Sequence, residues 1–259
     1  AVTLGDPAGI GPEIVAAAWR EFRALDTPFV VFGDVRALEA AGVPAVAVGS
    51  PDEARGVFTR AAPVMGAPLG IEVRPGHPDP LAGATVAGWI AAATESCLTG
   101  ETSALVTAPI SKSVLRSAGF RHPGHTEFLG DLTKSAPTRG LRGPVMMLAA
   151  EGLRVSLVTI HLPLSQAPAE ITQARVLHTA RVTAEALVRD FGIPRPRLAV
   201  AALNPHAGES GDLGREEIEQ IAPAVAVLQS EGLDVKGPLP ADSLFAKAVR
   251  DGLDAVVCM

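Results

Sequence analysis

The stretch "RLAVAALNPHAGESGDLGREE", residues 197–217, joins an apolar strand candidate to a glycine-rich turn and the start of a helix. Residues 198–203 are all apolar, as in a strand that is covered on both faces. Such a strand normally ends in a turn without an imidazole, yet this one is followed by Asn204, Pro205 and His206. Because ligands of open α/β sheets bind outside the carboxyl ends of strands, the stretch predicts an α/β fold with a site at this strand end.

The alternation of apolar strands and helical patterns extends over the whole chain. Strand candidates occupy residues 1–4, 29–33, 45–49, 103–108, 144–149, 154–160, 197–203 and 255–259. Helix candidates occupy residues 12–23, 83–99, 172–191 and 214–231. This order favours a mainly parallel sheet, while the short connection "AEGL" (150–153) predicts a hairpin and therefore a mixed sheet.

The length and composition indicate a folded chain. Of 259 residues, 47% are hydrophobic and 19% are charged, which excludes the disordered and fibrous classes. The length suits one large α/β domain or two smaller ones. We place a boundary in the turn-rich stretch "RSAGFRHPGH" (116–125), which gives a first domain at 1–118 and a second at 119–259. The first domain is expected to lack its C-terminal part, because both ends of the chain interrupt strand-like runs.

The charge and the cysteines narrow the classes of partner. A net charge of −6 argues against a nucleic-acid partner, which would require a basic face. The two cysteines, Cys97 and Cys258, lack CxxC spacing and fit a reducing compartment. We find no signal peptide and no run of about 18 apolar residues, so we expect a cytoplasmic chain without a membrane partner.

Three stretches in the first half of the chain have the composition of anion sites. "LGDPAGIGPEI" (4–14) places three glycines before a helix, which suits either an anion or a tight turn; it matches neither GxGxxG nor a Walker loop. In "TAPISKS" (107–113), Ser111 can cap a helix whose first turn then holds Lys112, a residue that is either solvated or kept for an anionic ligand. In "PGHTEFLGD" (123–131), Thr126 is a natural N-cap beside His125, and the pair is either plain capping or a phosphate or carboxylate site.

Two strand candidates of the second half end on histidines. His161 follows residues 154–160 and His206 follows residues 197–203, so the two imidazoles are candidate metal ligands; the alternative is that both are hydrogen-bonded loop residues. Asp242, after Pro240, is either the N-cap of "SLFAKAV" or a carboxylate that serves as metal neighbour or acid/base group.

Taken in order, these motifs resemble one family. "GDPAGIGPEI", "TAPISK", "GHTEFL", "TIHLPL", "LNPHAGESGDLGREE" and "GPLPADSLF" resemble the 4-hydroxythreonine-4-phosphate dehydrogenases of pyridoxal phosphate biosynthesis, over essentially the whole chain. The resemblance implies an isocitrate/isopropylmalate dehydrogenase-like fold, with two α/β/α domains, a cleft between them and mixed sheets. It also implies a homodimer that shares its site between subunits and binds NAD or NADP without a GxGxxG turn.

The resemblance also implies roles for single residues. His161 and His206 match two of three metal-binding histidines, the third belonging to a "YHDQ"-type segment that would follow Met259, and His125 and Thr126 match substrate-binding positions. Lys112 and Asp242 are the candidate catalytic residues, and no cofactor-binding residue is assigned. A chain without the third histidine is expected to bind metal weakly and to be inactive or nearly so.

The implied reaction is a metal-dependent oxidation. A divalent zinc, magnesium or cobalt ion and NAD or NADP would serve the oxidation of 4-phosphohydroxy-L-threonine at C3, followed by decarboxylation to 3-amino-2-oxopropyl phosphate. Two alternatives stay open. The chain could be a related dehydrogenase of 4-phospho-threonate or of a cis-dihydrodiol carboxylate, or it could be a non-catalytic fragment that binds a metal or an anion.

Overall fold

The structure, a computed structural model, describes residues 1–25, 27–138, 140–246 and 252–259. The chain forms two compact units, Ala1–Ala136 and Pro137–Met259, and each is an α/β unit with its own five-stranded sheet. The α/β class predicted from the sequence is confirmed, and the second of the two sheets is mixed, as the predicted hairpin requires, whereas the first is not.

The sheet of the first unit is entirely parallel, in the order β3-β4-β2-β1-β5. Its strands are β1 (Val2–Thr3), β2 (Val31–Phe32), β3 (Ala45–Ala47), β4 (Ala62–Met65) and β5 (Val106–Thr107). Its helices are α1 (Gly11–Phe22), α2 (Val35–Ala40), α3 (Pro51–Val57), α4 (Gly83–Leu98), α5 (Lys112–Ser117) and α6 (His125–Thr133), with a short 3-10 helix at Pro80–Ala82.

Two tryptophans anchor the core of this unit. Trp19 of α1 and Trp89 of α4 are each 1% exposed. Each indole N–H finds a backbone carbonyl, that of Trp19 at Phe58 (2.8 Å) and that of Trp89 at Ala67 (3.0 Å), so neither polar atom is buried without a partner. These are the only tryptophans in the sequence.

The segment Pro80–Leu98 is long and apolar enough, by length and composition, to cross a membrane. In the structure it forms a 3-10 turn and α4, whose Val86, Trp89, Ile90 and Ala93 are buried. Core helices of globular units pass the same test, and the burial of these side chains assigns the helix to the core of the first unit.

The second unit contains the sheet that carries the strand-end histidines. Its order is β6-β7-β10-β8-β9, with β6 antiparallel to β7 and all other pairs parallel. The strands are β6 (Met147–Ala150), β7 (Leu153–Leu157), β8 (Arg197–Ala201), β9 (Asp234–Leu239) and β10 (Ala255–Cys258). The helices are α7 (Ala167–Glu170), α8 (Gln173–Arg189), α9 (Ala222–Ser230) and α10 (Ala241–Leu244), with a π-helix at Glu217–Ile221 directly before α9.

Helices α8 and α9 cover this sheet. Val176, Ala180, Ala184 and Leu187 of α8 are buried, as the three- and four-residue spacing of apolar residues predicts. Leu228 of α9 is fully buried in the same cluster. The predicted hairpin is present, since Leu148 pairs with Val155 in antiparallel register.

Several details differ from the sequence-based expectations. The units divide between Ala136 and Pro137 rather than at 118/119, because α6 packs against α4 of the first unit. Thr126 is not the N-cap of α6: the N-cap is Gly124, and the helix begins one residue before Thr126, at His125. Asp242 is not an N-cap either, because Pro240 holds that position and Asp242 lies in the first turn of α10. The expected continuation of that helix, "SLFAKAV" (243–249), falls partly on residues 247–249, outside the described residues.

Candidate functional site

The turn after β8 has an unusual backbone. His206, Ala207, Gly208, Glu209 and Ser210 all have positive φ, between 45° and 80°. For residues with a Cβ this left-handed region is unfavourable by roughly 1–2 kcal/mol each, and it persists only where the surroundings enforce it. We call residues 206–210 the left-handed turn; it presents His206 as an exposed side chain.

A buried carboxylate fastens the chain just before this turn. Glu217, 3% exposed, accepts hydrogen bonds through Oε1 from the backbone N–H of Leu203 (2.8 Å) and of Asn204 (2.7 Å). The Asn204 side-chain amide donates to Glu217 Oε2 (2.9 Å) and to Glu216 Oε2 (2.7 Å). Burial alone would raise the pKa of Glu217, but these hydrogen bonds from Asn204 and Leu203 outweigh it and hold the pKa below its usual value.

The glycines of this stretch are required by close packing around that carboxylate. A Cβ on Gly208 would lie 2.7 Å from Glu217 Oε2, and a Cβ on Gly214 would lie 2.2 Å from Asn204 Nδ2. Both glycines also have positive φ. The glycines that follow the strand therefore let the chain close around the Asn204–Glu217 pair.

His161 stands at the end of an extension of β7. Thr159 donates to the carbonyl of Met259 through its N–H (3.1 Å) and its hydroxyl (2.8 Å), which ties the β7 extension to the end of β10. His161, two residues further on, is exposed and has a φ of 57°. Both predicted metal ligands thus follow parallel strands and adopt left-handed backbone.

Parallel strand direction places the candidate residues of this unit at one edge of the sheet. His161 follows β7, His206 follows β8, and β10 lies between these two strands. Neighbouring strands are about 4.8 Å apart, so the two strand ends are separated by roughly 10 Å, a span that two imidazoles can bridge toward one ion. Among the described residues no group of three or more His, Cys, Asp or Glu side chains is placed to hold a metal. Within that part of the chain the pair falls short of the three protein ligands that catalytic zinc sites usually have.

Asp242 lies at the same edge, after the neighbouring strand. It is exposed, and its Oδ1 accepts a hydrogen bond from the N–H of Ser243 (2.8 Å). Helix α10, to which it belongs, contacts the segment Pro205–Gly211. The structure therefore brings Asp242 to the sheet edge that carries His206.

A second group of candidates, Lys112, His125 and Thr126, lies in the first unit. The Ser111 hydroxyl accepts from the N–H of Val114 (3.5 Å) and caps α5, which confirms the predicted cap and puts Lys112 in the first turn with its side chain exposed. His125 is the first residue of α6, and its Nε2 is buried without a hydrogen-bond partner in the described part of the chain. Burial of the imidazole, and to a lesser degree the nearby charge of Lys112, hold the pKa of His125 below its usual value.

An aromatic cluster supports this group. The rings of Phe120 and Phe128 meet edge-on with centroids 4.8 Å apart, and His122 packs against both at 5.2 Å. Phe128 is one turn after His125, so the cluster fixes the first turn of α6. A half-buried imidazole with a lowered pKa and with an Nε2 that has no hydrogen-bond partner among the described residues can form a hydrogen bond with a ligand.

The glycine-rich stretch "GDPAGIGPE" (5–13) runs from the end of β1 into the first turn of α1 and borders a cavity of about 260 Å³. Asp34, at the end of β2, lines this cavity and accepts hydrogen bonds from Arg36 (3.0 Å) and from the N–H of Leu69 (2.8 Å). Burial acts to raise the pKa of Asp34, but its bonds with Arg36 and Leu69 prevail and lower it. The carboxylate thus serves the local structure.

Sequence reasoning misses two residues of the site, Asn204 and Glu217. The sequence presents Glu217 only as an acidic residue of a helix first turn, because nothing in a single sequence distinguishes a solvated first-turn carboxylate from one folded back onto a strand end. The available signal is the Asn-Pro pair at a strand end, which implies that the Asn side chain has a partner nearby.

Comparisons with known proteins match the chain over nearly its whole length. The family model described as "Pyridoxal phosphate biosynthetic protein PdxA" matches residues 24–259. The 4-hydroxythreonine-4-phosphate dehydrogenase of Caulobacter vibrioides is 51% identical over 261 residues, which cover 100% of this chain and 78% of that protein. The enzyme of the same name from Maricaulis maris is 47% identical over 268 residues, covering 100% and 79%.

Solved structures agree with the sequence relatives. The 4-hydroxythreonine-4-phosphate dehydrogenase of Klebsiella pneumoniae matches with a TM-score of 0.86 and 37% identity, over 99% of this chain and 78% of that one. A terephthalate 1,2-cis-dihydrodiol dehydrogenase from Burkholderia xenovorans LB400 matches with a TM-score of 0.67 and 27% identity, over 99% and 77%. These matches confirm the resemblance of the motifs, and the chain belongs to the PdxA family, the 4-hydroxythreonine-4-phosphate dehydrogenases, which are oxidoreductases of pyridoxal phosphate biosynthesis.

Proposed function

We propose that the protein oxidises 4-phosphohydroxy-L-threonine at C3 and that the resulting β-keto acid loses carbon dioxide to give 3-amino-2-oxopropyl phosphate. NAD or NADP is the oxidant and becomes NADH or NADPH. The observation that carries the proposal is the placement of His161 and His206 after parallel strands that flank β10, at one edge of one sheet. We further propose a cytoplasmic homodimer with a shared site, without nucleic-acid or membrane partners.

The donor chemistry of the two histidines fits a divalent cation. Imidazole suits zinc and cobalt, whereas magnesium prefers oxygen ligands, so the pair favours zinc or cobalt among the three expected ions. His161 and His206 would hold the cation, with a further ligand from outside the described residues. When bound, the cation would supply Lewis acidity toward a hydroxyl or a carbonyl oxygen, and the nicotinamide would accept a hydride.

The residues of the first unit suit the anionic parts of this substrate. His125 is held neutral, so its unpartnered Nε2 and the Thr126 hydroxyl can hydrogen-bond a phosphate or carboxylate at the start of α6. Lys112 is exposed at the start of α5 and supplies a positive charge close to His125. Asp242 remains the candidate carboxylate for proton handling at the sheet edge.

Two related substrates define the alternative. The likeness to a terephthalate 1,2-cis-dihydrodiol dehydrogenase favours a cis-dihydrodiol carboxylate. However, the 4-hydroxythreonine-4-phosphate dehydrogenase of Klebsiella pneumoniae matches better, with a TM-score of 0.86 against 0.67. A 4-phospho-threonate substrate would use the same anion-binding residues. The choice is made by supplying each of the three compounds with NAD, NADP and Co²⁺ and measuring reduced nicotinamide.

The test of the metal assignment is the variant His206→Ala. In the full-length protein we expect it to abolish metal-dependent turnover of 4-phosphohydroxy-L-threonine and to lower Co²⁺ binding, with a change in the free energy of unfolding of about 0.5 kcal/mol or less because the side chain is exposed. His77→Ala, an exposed histidine of the other unit, is the matched control and should leave both unchanged. Normal Co²⁺ binding in His206→Ala would contradict the proposal.

A further inference from the structure

The segment between Leu203 and Glu217 shows how His206 is held. After Ala202, whose N–H still bonds to Leu239 of the neighbouring strand (2.8 Å), the chain leaves the sheet. The next two N–H groups, of Leu203 and Asn204, both turn to the single oxygen Oε1 of Glu217. A carboxylate thus replaces the partner strand at the point where the chain departs toward His206.

The other carboxylate oxygen of Glu217 closes the second side of the turn. Oε2 accepts from the Asn204 side chain, and the backbone of Gly208 and the backbone of Gly214 approach the pair so closely that neither position has room for a Cβ. Three residues after the left-handed turn, the Leu213 N–H donates back to the Gly208 carbonyl (3.1 Å). The backbone on both sides of His206 therefore packs on Glu217 or on Asn204.

Glu217 owes its position to an irregular helix. It is the first residue of the π-helix Glu217–Ile221, a form that is rare and is often found at functional sites. The wider turn directs the Glu217 carboxylate back to the end of β8, while the next carboxylate on the same helix, Glu219, points out and pairs with Arg215 (2.6 Å). The Glu217 carboxylate thus binds the end of β8, while the Glu219 carboxylate lies on the solvent side of the helix.

We propose that Glu217 is a positioning residue for the metal site: its carboxylate, acting through Asn204, holds the left-handed turn so that His206 faces the cation. This role rests on the proposed function, in which His206 is a metal ligand. Glu217 touches neither substrate nor metal in this proposal. Its contribution is to keep one imidazole in place before the ion arrives, which raises the affinity of the site.

The variant Glu217→Gln tests the proposal with little change in size. The amide oxygen of Gln can still accept from both backbone N–H groups, but its NH₂ would then face the Asn204 NH₂, two donors without an acceptor between them. We expect the Kd for Co²⁺, measured by equilibrium dialysis of the native protein, to rise about tenfold or more, as supporting residues of metal sites do when replaced. Glu219→Gln, the same change on the solvent side of the same helix, is the control and should leave the Kd unchanged.

Two measurements separate positioning from general stability. Amide hydrogen exchange without metal should speed up in peptides covering 203–214 of Glu217→Gln, while peptides of α8 keep wild-type rates. Circular dichroism before dialysis establishes that the variant is folded. If Glu217→Gln does not fold, Asn204→Ala takes its place: it removes the two side-chain bonds, leaves both backbone bonds to Glu217, and should also weaken Co²⁺ binding.

A folded Glu217→Gln with wild-type Co²⁺ affinity and wild-type exchange would overturn the positioning role while leaving the metal site intact. If His206→Ala binds Co²⁺ as tightly as the wild type does, the proposed function is overturned, and this role of Glu217 with it. A raised Kd in Glu217→Gln, with His206→Ala also impaired and Glu219→Gln normal, would support both.

Discussion

His125 couples the candidate substrate site to pH. Burial, and secondarily the Lys112 charge, keep its pKa in the folded protein below the value of about 6.5 that it has in the unfolded chain. As the pH falls below 6.5, the unfolded chain takes up a proton at this position before the folded protein does. The stability that this difference contributes is complete above that pH and is lost as the pH falls toward the folded-state pKa.

Replacing His125 should therefore make the protein less sensitive to acid. For His125→Gln we expect the free energy of unfolding to decline less steeply than in the wild type between about pH 7 and pH 5.5. Urea unfolding at a series of pH values measures this slope, and His77→Gln, an exposed histidine, is the control. A steeper decline in His125→Gln than in the wild type would mean that the imidazole is charged in the folded protein.

Lys112 makes a smaller contribution to the same equilibrium. Because its charge disfavours the imidazolium, Lys112→Met should raise the pKa of His125, although burial, the larger cause, should keep it below the ordinary value. NMR titration of the histidine ring protons measures the pKa directly. Lys134→Met is the control, because Lys134 is engaged with Asp131 (2.8 Å) at the other end of α6. An unchanged His125 pKa in Lys112→Met would place the lysine too far away for the proposed substrate role.

At the scale of the elements, Gly208 in the turn after β8 can be compared with Gly232, a glycine of similar backbone conformation elsewhere in the unit. A Cβ added to Gly208 (φ 80°) would meet atoms at 2.7 and 2.8 Å, whereas a Cβ added to Gly232 (φ 88°) would meet nothing within 4 Å. Both Ala variants incur the left-handed backbone penalty, but only Gly208→Ala also pushes against Glu217. We expect Gly232→Ala to cost about 1 kcal/mol and Gly208→Ala to cost at least about 1 kcal/mol more. Urea unfolding measures both free energies of unfolding, and equal losses in the two variants would show that the turn can accommodate a Cβ at Gly208 at no additional cost.

The elements that can be predicted from the sequence are those with strong local signals. The hairpin of β6 and β7 and helix α8 follow from apolar periodicity and a short connection. Strand β4 escapes prediction because Pro63 interrupts it, and β9 does so because Asp234, Lys236 and a Gly-Pro pair give it the composition of a loop. The predicted N-cap of α6, Thr126, lies two residues after the actual one, Gly124, and this error hides the fact that His125 belongs to the helix.

The candidate site can be predicted only as far as its side-chain chemistry. His161 and His206 are recognisable because an imidazole at a strand end has no role in an ordinary turn. The backbone that orients them is not, since no composition signals five successive left-handed residues, and the support from Glu217 depends on a π-helix set by tertiary packing.

At the scale of the whole molecule, the hydrophobic clusters follow the division into units. One cluster lies within residues 1–136, and the other two lie within 137–259. Leu228→Ala should destabilise the second unit by about 2–5 kcal/mol, because the side chain is fully buried. Val188→Ala, on an exposed position of α8, is the control.

Alkylation of the Cys258 thiol measures the loss of stability in Leu228→Ala. Burial raises the pKa of this thiol from 9.0 to about 11, so at pH 8 its thiolate is about a hundredfold scarcer than in the unfolded chain, and alkylation follows opening of β10. In a Cys97→Ser background, Leu228→Ala should shift alkylation to lower urea concentration, and Val188→Ala should not. No shift in Leu228→Ala would mean that α9 does not hold the sheet.

The position of the two tryptophans determines what intrinsic fluorescence measures in this protein. Trp19 and Trp89 both lie in the core of residues 1–136, and the sequence has no tyrosine, so intrinsic fluorescence originates in that unit alone. Where the two units unfold in separate steps, a fluorescence melting curve describes the half that holds Lys112 and His125 and not the half that holds His161 and His206. In that case a stabilising ligand found by such a screen is selected for its effect on the first unit, and a compound that acts only near His161 and His206 would go unnoticed.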